Sequence, residues 1–280
     1  MTGDPGSDPA RHFGRQVRKA RQSKGWSLAE FGERIAYDKA HVSRVENGWR
    51  APTEAFARAC DRVFPERGGW FTDFWAESRT WLATPPWFRP WAPHELNART
   101  LRDWYPGIVT GLLQSESYAA EILSTAPGAT DDMVAERLSA RMARQRVLTR
   151  DSPPVAWFLV DVVALCREIG SADVMAGQLR HLGAMARLPH VTVQLVPATG
   201  HAGFAGGFVV ADSAAYAESV VAGHVYEDEE TVSGLVRRFD TIRGEALRVR
   251  DSLRLIEWIG EQWSRTGGPP PIQQITAASA

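Results

Sequence analysis

The sequence predicts a multidomain protein: a small all-α domain at the N-terminus, followed by a larger α/β (α+β) domain. Three observations carry this. Roughly the first 65 residues read as short helical periods separated by tight turns. Beyond about residue 80, helical periods alternate with short runs rich in Val and Phe. Between the two, from Thr84 to Pro93, prolines and tryptophans (Pro85, Pro86, Trp87, Pro90, Trp91, Pro93) break any periodic pattern. A chain of 280 residues with 44% hydrophobic content can fill two cores.

Taken in order, Arg11 to Ser23 places Phe13, Val17 and Ala20 at helical spacing among basic residues, with Gly25 as the stop. Ser27 is an N-cap, Glu30 three residues on completes a capping box, and Phe31 and Ile35 form the inward stripe of a second helix. Asp38 caps a third, with Val42 and Val45 inward and Asn47-Gly48 at its end. Pro52-Thr53 opens a fourth helix through Val63, and Gly68-Gly69 leads into an aromatic fifth with Trp70, Phe71, Phe74 and Trp75. Further on, helices are expected at Ser115 to Leu123, Asp131 to Thr149, Ala172 to Ala186, Glu229 to Leu247 and Ser252 to Ser264. Strands are expected at Val155 to Asp161, Val191 to Pro197, Gly207 to Ala211 and Ser219 to Val225. The domains are drawn at residues 11–76 and 81–265, with 1–10 and 266–280 as disordered tails.

Composition narrows the function. No run approaches the roughly 18 apolar residues of a membrane span, and the polar start has no signal-peptide core, so no membrane partner is expected and the cytoplasm is the expected compartment. Cys60, in a helix, and Cys166, read as the end of a strand, are too few for a disulfide framework or a four-ligand zinc site, and both are expected as small buried hydrophobes; no metal is expected. The net charge of −1 hides an asymmetry: residues 1–67 hold 13 Lys and Arg against 9 Asp and Glu, net +4, and the remainder is −5. The basic end is the one suited to DNA.

The stretch from Ser27 to Gly48 has the spacing of a helix-turn-helix, with Phe31, Ile35, Val42 and Val45 inward and the small Gly32 where two helices cross steeply. It resembles the lambda-repressor/Cro-like (XRE) family, whose recognition helix ends in Ser-Arg-x-Glu-x-Gly, here Ser43-Arg44-Val45-Glu46-Asn47-Gly48. The resemblance implies binding of double-stranded DNA, with the third helix in the major groove. It brings Lys39, Ala40, His41, Ser43 and Arg44 to the groove, Arg44 and Lys39 being the natural guanine readers, and Lys24, Ser27 and Arg50 to the backbone. It also implies a structural ion pair between Arg21 and Glu46. The sequence departs from the family pattern twice. Leu28 stands where a DNA-clamping glutamine is usual, so that contact is absent. Ala36 stands where a glycine with positive φ is usual, implying about 1 kcal/mol of strain or a differently shaped turn.

From about Trp81 to Trp263 the chain resembles the domain of unknown function that follows lambda-repressor-like domains in many actinobacterial regulators. The likeness rests on Trp87-Phe88-Arg89-Pro90, the run Tyr105 to Tyr118, the arginine-studded helix Arg137 to Arg146, and His190 to Pro197. It implies a role in binding a small acidic partner protein or a signal. Catalysis and cofactors are not expected: Asp161, Cys166, His181, His190, His201 and His224 are scattered, and the glycine-rich stretch Thr199 to Gly207 reads as a loop. Arg137, Arg141 and Arg144 share a helix face that either binds an acidic partner or pairs with nearby acids such as Glu136. The tryptophans at 70, 75, 81, 87, 91 and 104 are expected in inter-domain packing. Together these readings describe a homodimeric DNA-binding transcriptional regulator whose second domain dimerises and senses; the alternative is an antitoxin-like module that captures a small protein, with DNA binding secondary.

Overall fold

The computed structural model describes residues 9–85, 87–198, 202–219, 222–271 and 274–275, without the side chains of 79–83 and 205. The chain divides into two compact units, residues 1–85 with 130–140, and residues 86–129 with 141–280.

The first unit is helical. Its helices are α1 (Pro9–Ser23), α2 (Leu28–Ile35), α3 (Lys39–Glu46), α4 (Glu54–Val63) and α5 (Trp70–Ala83). Their apolar faces meet in one core, where Phe13, Val17, Phe31, Val42, Val45, Phe56, Phe64 and Phe71 are fully enclosed. Burying side chains of this size at about 25 cal/mol per Å² is what holds helices this short, which are marginal alone. Thr53 caps α4 by accepting from Phe56 N at 3.2 Å, and Asp61 takes the free N–H groups of Phe71 and Thr72 at the start of α5. The expected tail at 1–10 is corrected at its inner edge: Pro9 and Ala10 belong to α1, and Ala10 is buried.

The second unit is a mixed six-stranded sheet with helices on both faces. Its elements are α6 (Ala92–Asn97), β1 (Thr100–Tyr105), α7 (Glu116–Ser124), α8 (Asp131–Gln145), β2 (Val155–Asp161), α9 (Val162–Cys166), α10 (Ala172–Met185), β3 (Val191–Val196), β4 (Phe208–Ala211), β5 (Ala214–Glu218), β6 (Gly223–Tyr226), α11 (Glu229–Gly244) and α12 (Val249–Thr266). The first residues of α8 are grouped with the first unit. The strand order is β3-β2-β1-β4-β5-β6, with β3, β2 and β1 parallel and the β1, β4, β5, β6 half antiparallel. One face shares a core with α7, α9, α10 and α12 through residues such as Phe158, Val193, Leu179, Ile256 and Trp263. The other packs on α11 through Trp104, Leu159, Val210 and Phe239.

Several expectations are corrected. β1 escapes a hydrophobic pattern because Arg102 and Asp103 sit within it, although it is central in the sheet. β5 escapes because Ala-Ala-Tyr-Ala-Glu has weak strand propensity. The last strand spans Gly223–Tyr226, a narrower run than Ser219 to Val225. Cys166 ends the short helix α9, not a strand, and is only partly buried. Ser252 lies inside α12 instead of opening it; fully buried, its hydroxyl accepts from Leu195 N at 2.9 Å and ties α12 to β3. In the expected C-terminal tail, Thr266 completes α12 and Ile275 is buried against the core. The tryptophans pack within their own units: Trp70 and Trp75 in the first, Trp91 and Trp104 in the second, with Trp87 donating to Glu218 at 2.8 Å. The side chain of Trp81 lies outside the described residues.

Candidate nucleic-acid interface

Local chemistry defines α2 and α3 and the turn between them. Ser27 Oγ accepts from Glu30 N at 3.2 Å while the Glu30 carboxylate takes Ser27 N at 2.8 Å, a complete capping box. Hydrogen bonding from Ser27, its backbone N–H first and its hydroxyl second, holds the Glu30 carboxyl below its ordinary pKa. Asp38 accepts from His41 N at 2.8 Å and starts α3; that bond likewise lowers its pKa. Ala36 closes α2 at φ 61° and ψ 42°, so a side-chain-bearing residue takes the left-handed conformation. Gly32 is required by crowding, since a Cβ there would lie 2.4 Å from Tyr37 O.

The end of α3 is clamped to α1. Arg21 donates from Nε to Glu46 Oε1 at 2.6 Å and from Nη2 to Oε2 at 2.9 Å, and its Nη1 reaches Trp26 O at 2.7 Å. Hydrogen bonding to Glu46 raises the pKa of Arg21 further. Glu46 is only 3% exposed. Sequence reasoning missed two further members. Arg18, three residues before Arg21 on the same helix face, donates to Glu46 Oε2 at 3.3 Å and to Asn47 Oδ1 at 2.7 Å. Gly14 lets the α1 backbone approach so closely that a Cβ would fall 2.3 Å from Val45 O. Beyond the helix, Trp49 N and Arg50 N both donate to Arg44 O, folding the following segment back on α3.

With α3 fixed by its inner face, Lys39, Ala40 and Arg44 stand exposed on the outer one. Ser43 is half-buried beside Asn47, whose amide donates to Ser43 O at 2.8 Å. Arg50 is half-buried and Ser27 exposed. Lys24 is engaged by Glu66 at 3.0 Å, an exposed pair that a phosphate can replace at little cost. His41 is drawn inward. Its ring stacks on Phe56 at 5.6 Å with planes 8° apart and meets Tyr37 edge-on at 4.6 Å, turning the side chain toward α4. Its Nε2 is buried, with no hydrogen-bond partner among the described residues. Burial, aided by the Arg50 and Arg44 charges and opposed by Asp38, lowers its pKa and favours the neutral ring. Trp49, which sequence reasoning also missed, is 75% exposed just past Gly48.

In the second unit, two of the residues weighed for catalysis, Asp161 and His190, are engaged separately, while His181 Nε2 is buried with no hydrogen-bond partner among the described residues. Asp161 caps α9 through Val163 N at 2.9 Å, and His190 Nε2 bonds Leu148 O at 2.8 Å. Burial pushes the Cys166 thiol up to about 11, away from the reactive thiolate. His224 is exposed, and His201 lies outside the described residues along with Thr199 and Gly200. Among the described residues, no group of three His, Cys, Asp or Glu is placed to hold a metal ion, and no helix is long and apolar enough to cross a membrane. Two arginines of that face, Arg141 and Arg144, are engaged within the second unit. Arg144 clamps the buried Glu95 carboxylate from Nε at 2.5 Å and from Nη2 at 3.0 Å and lies 4.4 Å over the Phe88 ring, while Arg141 Nη1 donates to Gln114 Oε1 at 2.5 Å.

Comparison with known proteins gives two matches. Residues 12–64 match a family model described as a helix-turn-helix domain, and residues 88–258 match one described as a domain of unknown function, DUF5753. No curated protein and no solved structure matches.

Proposed function

The chain belongs to the DUF5753 family and carries a helix-turn-helix domain ahead of that region, and on that footing we propose that it is a sequence-specific DNA-binding transcriptional regulator. The observation that carries this is the clamped third helix. A helix that reads a groove must be held in orientation from behind while leaving polar side chains outward. The Arg21–Glu46 pair, the Gly14 contact and the Val42 and Val45 packing supply the first requirement, and exposed Lys39, Ala40 and Arg44 the second.

In this reading Arg44 and Lys39 take base edges, with guanine as the natural partner. Ala40 meets an apolar base edge, and Ser27, Ser43, Lys24 and Arg50 lie toward phosphates. One domain of this size reads only a short half-site, so the protein acts as a homodimer on two-fold-related half-sites about one helical turn apart. The second unit supplies dimerisation and senses a small ligand or a small acidic partner protein. It acts as a regulatory module rather than an enzyme, a reading supported by the engaged Asp161 and His190 and the protonated Cys166. A DNA ligand sets its work in the cytoplasm.

Selection of random-sequence duplexes by the full-length protein at near-physiological salt tests the proposal. Enrichment of an inverted repeat with half-sites about 10 base pairs apart supports it. Retention of all sequences alike, with affinity that merely falls as salt rises, rules it out.

A further inference from the structure

The second unit holds a carboxyl group that its own fold leaves half unused. On the face of the sheet toward α10 and α12, the register lines up Val193, Phe158, Asp103, Val209, Tyr216 and Val225 across all six strands. Asp103 is the one acid in that row, at 1% exposure. Its Oδ2 accepts from the Thr110 hydroxyl at 2.8 Å. Its Oδ1 is buried with no hydrogen-bond partner among the described residues. A buried oxygen left so is uncommon and points to a missing donor.

The surroundings specify that donor. Glu95 is taken by Arg144, so among the charges that act on Asp103 one negative charge is left over once it ionises. A planar guanidinium is the bulkier cation to seat at an oxygen enclosed this fully. A compact ammonium, a point donor, fits the single free oxygen. The Tyr216 ring two strands away, stacked on Trp91 at 5.6 Å, lies roughly 10 Å along the sheet, beyond the ammonium but within reach of a ligand's apolar tail. The cover over Asp103 comes from the loop after β1 that carries Thr110.

We infer that Asp103 anchors a small-ligand site in the second unit and that its ligand is a small primary amine whose ammonium donates to Oδ1. This rests on reading the second unit as the sensing half of the protein. Burial raises the Asp103 pKa to about 7, against the opposing Thr110 hydrogen bond and Arg144 charge. The bound cation restores the ionised form.

The full-length protein is titrated with butylamine and 2-phenylethylamine, each beside its alcohol, 1-butanol or 2-phenylethanol, while the melting temperature is followed. The expected result is a saturable rise with an amine, none with its alcohol, and loss of the rise in Asp103→Asn, whose duplex binding without amine equals that of the wild type. A crystal of the wild type grown with the stronger amine is expected to show nitrogen on Asp103 Oδ1, which keeps the test independent of the variant's folding. No rise with either amine, an equal rise in the variant, or only an ordered water on Oδ1 overturns the inference. Failure of the wild type to select a duplex sinks the regulator reading instead and leaves the amine titration standing.

Discussion

Arg21 and Glu46 join the first and third helices through two hydrogen bonds, 2.6 and 2.9 Å long, with the carboxylate almost wholly enclosed. Arg21→Ala leaves the enclosed carboxylate only the longer Arg18 contact, so it costs up to about 3 kcal/mol of first-unit stability. Urea unfolding of the single and double variants checks this. The double variant Arg21→Ala with Glu46→Ala is expected to lose clearly less than the sum of the two singles, since the pair acts as one unit. Additive losses would mean that the contact contributes no coupling.

Ala36 sits at φ 61°, where a Cβ is crowded. Replacing it with glycine relieves roughly 1 kcal/mol of strain and returns part of that as unfolded-chain entropy, so Ala36→Gly is expected to stabilise by about 0.5 kcal/mol. A rise in the urea midpoint at unchanged slope is the sign to look for. A lower midpoint would show that the turn is not strained.

Arg144 and Arg146 stand two residues apart and do different work. Arg144 neutralises buried Glu95, whereas Arg146 is exposed. Arg144→Ala is therefore expected to cost about 3 kcal/mol and Arg146→Ala no more than about 0.5 kcal/mol. Equal effects in thermal melts would argue that Glu95 finds another partner.

Asp103 makes stability depend on pH in a direction unusual for a carboxyl. Its folded pKa of about 7 lies above the ordinary 3.8, so between these values the folded chain holds the proton more firmly than the unfolded one. Stability from this group is full below pH 3.8, falls as pH rises toward 7, and stays low above. In the absence of ligand, Asp103→Asn is expected to remove that decline and to be relatively most stabilising in the alkaline range, by a few kcal/mol at most. A variant whose pH profile parallels the wild type would show that Asp103 is not the group responsible.

Local signals made the first unit legible in the sequence. Ser27 with Glu30, Asp38 and Thr53 mark helix starts by side-chain chemistry that acts within three residues, and the structure forms each of those caps. What escaped depends on distance along the chain. β1 hides behind Arg102 and Asp103 because its burial is decided by β2 and β4, far away in sequence. His41 has the residue type and position of a base reader, yet Phe56, on another helix, draws its ring inward. The sequence offers neighbours such as Glu136 as acids for the α8 arginines, and Glu95, which takes Arg144, escaped because it is 49 residues away.

The central claim is that the exposed face of α3 reads base edges. The direct measurement is the affinity of wild type and Arg44→Ala for the selected duplex and for a base-scrambled duplex of equal length at the same salt. The account predicts a loss of about 1–3 kcal/mol on the selected duplex and little change on the scrambled one, so the variant no longer distinguishes them. An unchanged ratio between the two duplexes would contradict it.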